Sequence, residues 1–215
     1  MSKQKILTYL YFFLALADAL GVVFSDIIHR KYTTFLPVPV LFILYLYSVK
    51  KVNWLYIFSL IFTFIGIIFF NIQSYFNIAL IFYALGVCLY VVISLKTAEV
   101  IPVKNIGIAT IPFLIVYLVP FILYSDAVQS EVFNYIIFYV FFVGLFFFIS
   151  ILVYVNKQNT ANLWLFSSGI VFLFSTIIHG YNIFFEFLVP IRVGVVITFL
   201  FMHYAMYRYT VLKTV

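Results

Sequence analysis

Residues 132–154 run without one charged side chain, and the chain repeats that pattern along nearly its whole length. Apolar stretches of roughly 20 residues, the length a helix needs to cross a bilayer, alternate with short polar breaks. Only 8% of residues are charged, against about 25% in a soluble domain. With 67% hydrophobic residues and a mean hydropathy of +1.24, no soluble surface can be assembled. The expected fold class is all-α: a polytopic membrane helix bundle forming a single integral membrane domain over 1–215.

Eight stretches qualify approximately as spans: 6–24, 33–49, 54–71, 75–95, 105–124, 132–154, 163–184 and 187–209. The breaks read SDIIHRK, KKVN, NIQS, KTAEVIPVK, SDAVQSE, NKQNTAN and EFLVPIR. Their shortness predicts antiparallel neighbours. Pro37 and Pro39 interrupt the second span, which lipid tolerates when neighbouring groups satisfy the freed backbone. The apolar run after the basic start is longer than the core of a signal peptide and lacks a clear cleavage site, so it reads as an uncleaved first helix.

Cation placement predicts orientation. Nine of the twelve Lys and Arg residues fall on the side of the N-terminus: Lys3, Lys5, Lys50, Lys51, Lys96, Lys104, Lys157, Arg208 and Lys213. Arg30, Lys31 and Arg192 fall on the other, together with Asp26, Asp126, Glu131 and Glu186. Basic loops stay in the cytoplasm, so both termini are expected there. The net charge of +6 is explained by this bias and by no cluster suited to nucleic acid. The compact size and lack of a targeting signal point to a bacterial inner membrane. Cys88 is the only cysteine, so no intrachain disulfide can form.

The stretch SSGIVFLFSTIIHGYNIFFE (167–186) is long enough to cross a membrane yet rich in polar groups. At about 100° per residue, with Ser168 at zero, Ser175 falls near 340°, His179 near 20°, Asn182 near 320° and Glu186 near zero. One narrow polar face of this kind points into a bundle or a water-filled cavity. Arg192, Val196, Phe199 and His203 repeat the pattern more weakly. Asp18 stands within an otherwise apolar first span and needs a partner, a proton or water, since an ionised carboxylate there costs about 2.5–3.5 kcal/mol on insertion scales. Asp18, His179 and His203 are expected to converge. Ser168, Ser175 and Asn182 also suit plain interhelical hydrogen bonding, and Arg192 and Glu186 suit snorkelling from helix ends. The Tyr and Phe residues are read as packing and interface anchors.

Several chemistries are excluded. Zinc spacing, H-E-x-x-H, a Gly-rich phosphate loop and a G-x-S-x-G elbow are all missing. Every Lys lies in a break or at a span end, where no retinal Schiff base could form. No metal and no cofactor is expected. Carboxylate and imidazole chemistry, a transport path and a non-catalytic role remain, though no internal repeat supports transport.

FSLIFTFIGIIFF (58–70), FNIALIFYALGVCLY (76–90), SSGIVFLFSTIIHGYNIF (167–184) and VVITFLFMHYAMYRYTVL (195–212) resemble, in order, four helices of the YhhN family of lysoplasmalogenase-like membrane proteins. The resemblance implies hydrolysis of the vinyl-ether bond of a lysoplasmalogen by two intramembrane aspartates. The family aspartates are replaced here by Ile67 (after Gly66) and Thr176 (after Ser175). A family histidine is Val87, the Lys-Pro of the second helix is Leu36-Pro37, and the closing Gln is His203. Tyr90, Ser175, Asn182 and Phe184 match. The expected site therefore has Asp18 and His179 as catalytic groups, with Ser175, Thr176, Asn182, His203 and Tyr90 binding a single-chain membrane lipid. The rival expectation is a non-catalytic protein that binds a lipid or small molecule, or an accessory or sensor subunit.

Overall fold

The computed structural model describes residues 2–72, 75–99, 102–124 and 130–214. The break at 125–129, with Asp126, lies outside them, as do 73–74 and 100–101. Among the described residues the regular structure is all helical: α1 (Lys3–Val23), α2 (Arg30–Thr33), α3 (Pro37–Ser48), α4 (Trp54–Phe70), α5 (Phe76–Thr97), α6 (Val103–Tyr124), α7 (Ser130–Asn156), α8 (Thr160–Phe184) and α9 (Val189–Thr214).

Local chemistry sets several of the boundaries. Ser2, Asn53 and Asn159 cap α1, α4 and α8, each side-chain oxygen accepting a backbone N–H of the first turn. Pro37 and Pro39 do not interrupt a span; they open α3. In the first turn a helix has no acceptor for its N–H groups, so proline loses no bond there. The consequence is a helix of 12 residues, rising about 18 Å at roughly 1.5 Å per residue against a hydrocarbon core of about 30 Å. The stretch 33–49 is thus short for a span, yet it returns the chain to the level of the N-terminus, where Gln4 Nε2 donates to the Tyr47 carbonyl at 2.9 Å. Five helices are long and apolar enough to span a membrane: α1, α5, α7, α8 and α9.

The helices close on themselves. α1 packs on α3 and α9, α3 on α4, α4 on α5, α5 on α7, α7 on α8, and α8 on α9. α6 lies against α7, with Ile108, Ile111 and Ile115 exposed. Outward faces elsewhere are also apolar, as at Phe13, Leu16 and Phe187, which suits a lipid environment.

Inside the ring the largest fully buried side chains are tyrosines: Tyr11, Tyr45, Tyr56, Tyr90 and Tyr209. Several hydroxyls bridge helices. Tyr11 donates to the Leu200 carbonyl at 2.6 Å, Ser48 Oγ pairs with Tyr207 Oη at 2.7 Å, and Thr97 Oγ1 pairs with Tyr209 Oη. These tyrosines are bundle interior. Outside the bundle, Lys157 Nζ meets Glu99 Oε1 at 2.6 Å, and that hydrogen bond holds the exposed Glu99 carboxyl below the usual carboxylate range.

α7 and α8 approach closely at Gly169. A Cβ there would lie 2.2 Å from Ser150 Oγ and 2.8 Å from Ser150 Cβ. Small residues permit such approaches between membrane helices. Gly169→Val is expected to lower the unfolding temperature in detergent, with overpacking of this kind costing about 1–3 kcal/mol. Ser150→Gly in the same chain should recover part of the loss. Equal melting of Gly169→Val and the parent would show that the helices do not meet there.

Candidate functional site

The chain between α1 and α3 folds back onto the Asp18 carboxylate. Arg30 Nε donates to Asp18 Oδ1 and Arg30 Nη2 to Oδ2, both at 3.2 Å. Thr33 Oγ1 and Thr34 Oγ1 donate to Oδ1 at 2.9 and 2.7 Å. Gly21 makes the approach possible, because a Cβ there would sit 2.9 Å from Arg30 Cγ and 3.1 Å from the Ile28 carbonyl oxygen. Asp18 thus obtains a guanidinium fork and two hydroxyls, all from residues 30–34. Both of its oxygens are committed as acceptors.

A cavity of about 170 Å³ opens beside this knot. Its walls come from α4 (Ile67, Phe70), α5 (Leu80, Tyr83), α7 (Phe133, Tyr139, Val143), α8 (Phe172, Ser175, Thr176, His179) and α9 (Val196, Phe199, Leu200). Asp18, Arg30, Thr34 and Arg192 supply polar groups to the same space. Most of the lining is aliphatic or aromatic, so the space suits an apolar group better than water.

His179 and Arg192 form the second polar element. Arg192 Nη1 lies 3.1 Å from His179 Nδ1. A guanidinium can only donate, so Nδ1 accepts and carries no proton. Both groups rest on Phe70: the imidazole centroid is 5.4 Å from its ring and the guanidinium carbon 5.5 Å from its centroid. Arg192, read as a snorkelling residue, instead turns inward to these partners.

Of the site residues expected from sequence, Asp18, Ser175, Thr176 and His179 line the cavity; Tyr90, Asn182 and His203 do not. Asp18 and His179 share the space, yet each is met by its own arginine. Ser175 Oγ donates to the Val195 carbonyl at 3.4 Å and Ser168 Oγ to the Met202 carbonyl at 3.0 Å, stitching α8 to α9. Thr176 Oγ1 stands 3.4 Å from Tyr139 Oη. Asn182 Nδ2 donates to the carbonyls of Glu186 and Leu188 and fastens the α8–α9 turn. Glu186 falls beyond the end of α8 and is exposed, so it is no part of the helical stripe. His203 lies elsewhere in the ring, with Nδ1 at 2.8 Å from Tyr90 Oη and Nε2 buried without a partner among the described residues.

Arg30, Thr33, Thr34, Phe70, Tyr83 and Tyr139 went unmarked in the sequence reading. The signal for Arg30 was the lone buried acid itself, which had to find a donor, with the arginine only twelve residues on. Among the described residues no group of three or more His, Cys, Asp or Glu could hold a metal ion. No family model, curated protein or solved structure matches the chain.

Removing one member of a buried ion pair typically costs about 3–5 kcal/mol. Here the Asp18 side chain is 5% exposed and that of Arg30 27%, so the expected loss for Asp18→Asn is nearer 2–3 kcal/mol, about the discount that partial solvation brings. Unfolding in detergent measures it. Asp18→Asn with Arg30→Gln should lose less than the sum of the two single changes. Strict additivity would mean that the fork carries no coupling.

Proposed function

We propose that this chain is an integral membrane protein whose cavity binds a single-chain amphiphile without hydrolysing it, on a lysoplasmalogenase-like scaffold. The observation that carries the reading is the lining of the cavity. Ile67 and Thr176, the two positions at which the resembling family has aspartates, both face into it. The space is therefore kept where the resemblance would put an active site, and neither position has a carboxyl group. Ile67 cannot move a proton, and the Thr176 hydroxyl is no acid at neutral pH. Asp18, the remaining carboxylate at the cavity, has its oxygens occupied by Arg30, Thr33 and Thr34. Vinyl-ether cleavage needs an acid to protonate carbon and a base to position water, and this set supplies no such pair.

The greasy walls suit an alkyl chain and the polar end near Arg30 and Arg192 suits a head. The cation bias supports both termini in the cytoplasm, with the compact chain in a bacterial inner membrane. A second reading, hydrolysis, is favoured by one observation: His179 lies at the cavity beside Ser175 and Thr176, with its Nε2 nitrogen outside the Arg192 contact.

Two measurements on the protein in lipid nanodiscs separate the readings. A fluorescent single-chain lipid is expected to bind saturably, and Thr176→Trp, which fills the cavity, to weaken binding by about tenfold or more, the equivalent of roughly 1.4 kcal/mol. Unchanged binding in that variant would sink the cavity reading. Incubation with a lysoplasmalogen is expected to release no fatty aldehyde; release that disappears in His179→Ala would establish the hydrolytic reading instead.

A further inference from the structure

Arg30 and Arg192 each border two hollows. One is the apolar cavity; the other is a shallow depression on the outer surface, lined by Gly21, Val22, Ser25, His29, Arg30, Lys31, Phe187 and Arg192. The two guanidinium groups therefore stand between the surface depression and the cavity, a position called the passage below. Their charges are balanced unequally. Arg30 is met by Asp18. Arg192 has no carboxylate within ion-pair distance among the described residues, and it donates to the unprotonated Nδ1 of His179. Asp26 and Glu186 line neither hollow. On the outer rim the exposed Lys31 adds a third cation.

A partly buried guanidinium without an ion-pair partner is costly, and the face of Phe70 offsets only part of that cost. Its remaining N–H groups form a planar fork that matches an oxyanion. Beyond the fork, the cavity offers almost only hydrocarbon. We infer that Arg192 is the head-recognition residue for a single-chain amphiphile with a net negative oxyanion head, a carboxylate or a phosphate ester, with Arg30 as its pre-aligned neighbour and the alkyl chain in the cavity. This rests on the amphiphile reading above and adds the sign and the chemistry of the head. Asp18 then has a positioning role: it orients the Arg30 fork and forms no ion pair with Arg192. A zwitterionic head brings its own cation into the same passage, against Arg30, Lys31 and Arg192, and is disfavoured.

The test is competition against the fluorescent single-chain lipid, using dodecanoate, dodecyl phosphate, dodecylphosphocholine, monododecanoylglycerol and inorganic phosphate. The two anionic amphiphiles are expected to compete about tenfold better than the neutral ester and the zwitterion, as a charge-assisted hydrogen bond implies. In Arg192→Gln the ratio of anionic to neutral affinity should fall to about one, while Arg192→Lys, which keeps the charge without the fork, should retain an intermediate ratio. Binding of the neutral ester to both variants shows that the cavity has folded. Equal competition by anionic and neutral amphiphiles in the parent, or a preference that survives Arg192→Gln, overturns the head assignment alone. Competition by inorganic phosphate as strong as by dodecyl phosphate assigns the passage to a free anion and also overturns it. Failure of every amphiphile to bind, the neutral ester included, overturns the amphiphile reading and this inference with it.

Discussion

A carboxylate inside an apolar bundle has to be met by donors, and in this chain all of them come from one short segment. Arg30, Thr33 and Thr34 converge on Asp18, so the link between α1 and α3 is held against the bundle and cannot swing out as a loop. That single requirement shapes the neighbourhood. It brings α2 over Gly21, where any larger residue would collide. It places Arg30 at the passage beside Arg192, and it leaves α3 to begin only at Pro37. The basic character of the passage follows from satisfying one acid with an arginine and leaving a second arginine unmatched.

The rest of the interior obeys the same rule with neutral groups. Lipid supplies no hydrogen bonds, so a polar atom on an inward face must find a partner in the protein, either on its own helix, as Ser94 and Thr210 do, or on another. Tyrosine does this while still filling space: the ring packs and the hydroxyl reaches a carbonyl or another hydroxyl. α9 receives many of these contacts. Its Leu200, Met202 and Val195 carbonyls accept from Tyr11, Ser168 and Ser175, and its Tyr207, Tyr209 and His203 pair with α3 and α5. The exceptions among the described residues are Tyr56 Oη, Asn77 Oδ1, Asn162 Oδ1 and His203 Nε2, all buried without partners.

The helical bundle was legible because apolar run length is a one-dimensional property. The inward direction of the α8 stripe was legible too, because a period of 3.6 assigns each residue to a face. What such a period does not give is which neighbour a face meets. Ser175 and His179 lie close on that face, yet one bonds an α9 carbonyl and the other an arginine. His203 continues the Arg192 face and still ends beside Tyr90, deeper in the ring. Glu186 fitted the angle and failed on length, since α8 stops at Phe184. Pro37 was read as an interruption because proline looks the same in a sequence at a helix start and in a helix middle. For Arg192 the sequence left an inward face and snorkelling both open, because a cation near a span end is normally drawn outward to water; the tertiary placement of His179 and Phe70 turns it inward.

The convergence of polar partners on α9 also bears on how the molecule is put together. α9 follows every other helix in the chain, yet Tyr11, Ser168 and Ser175, held on helices synthesised before it, take their acceptors from its backbone. Until α9 enters the bilayer, those hydroxyls face a seam rather than a partner, and α1 and α8 have nothing joining them. The bundle is thus an open horseshoe for most of its biosynthesis, and its closure is a late event. A chain that lacks α9 leaves the Tyr11, Ser168 and Ser175 hydroxyls without these acceptors.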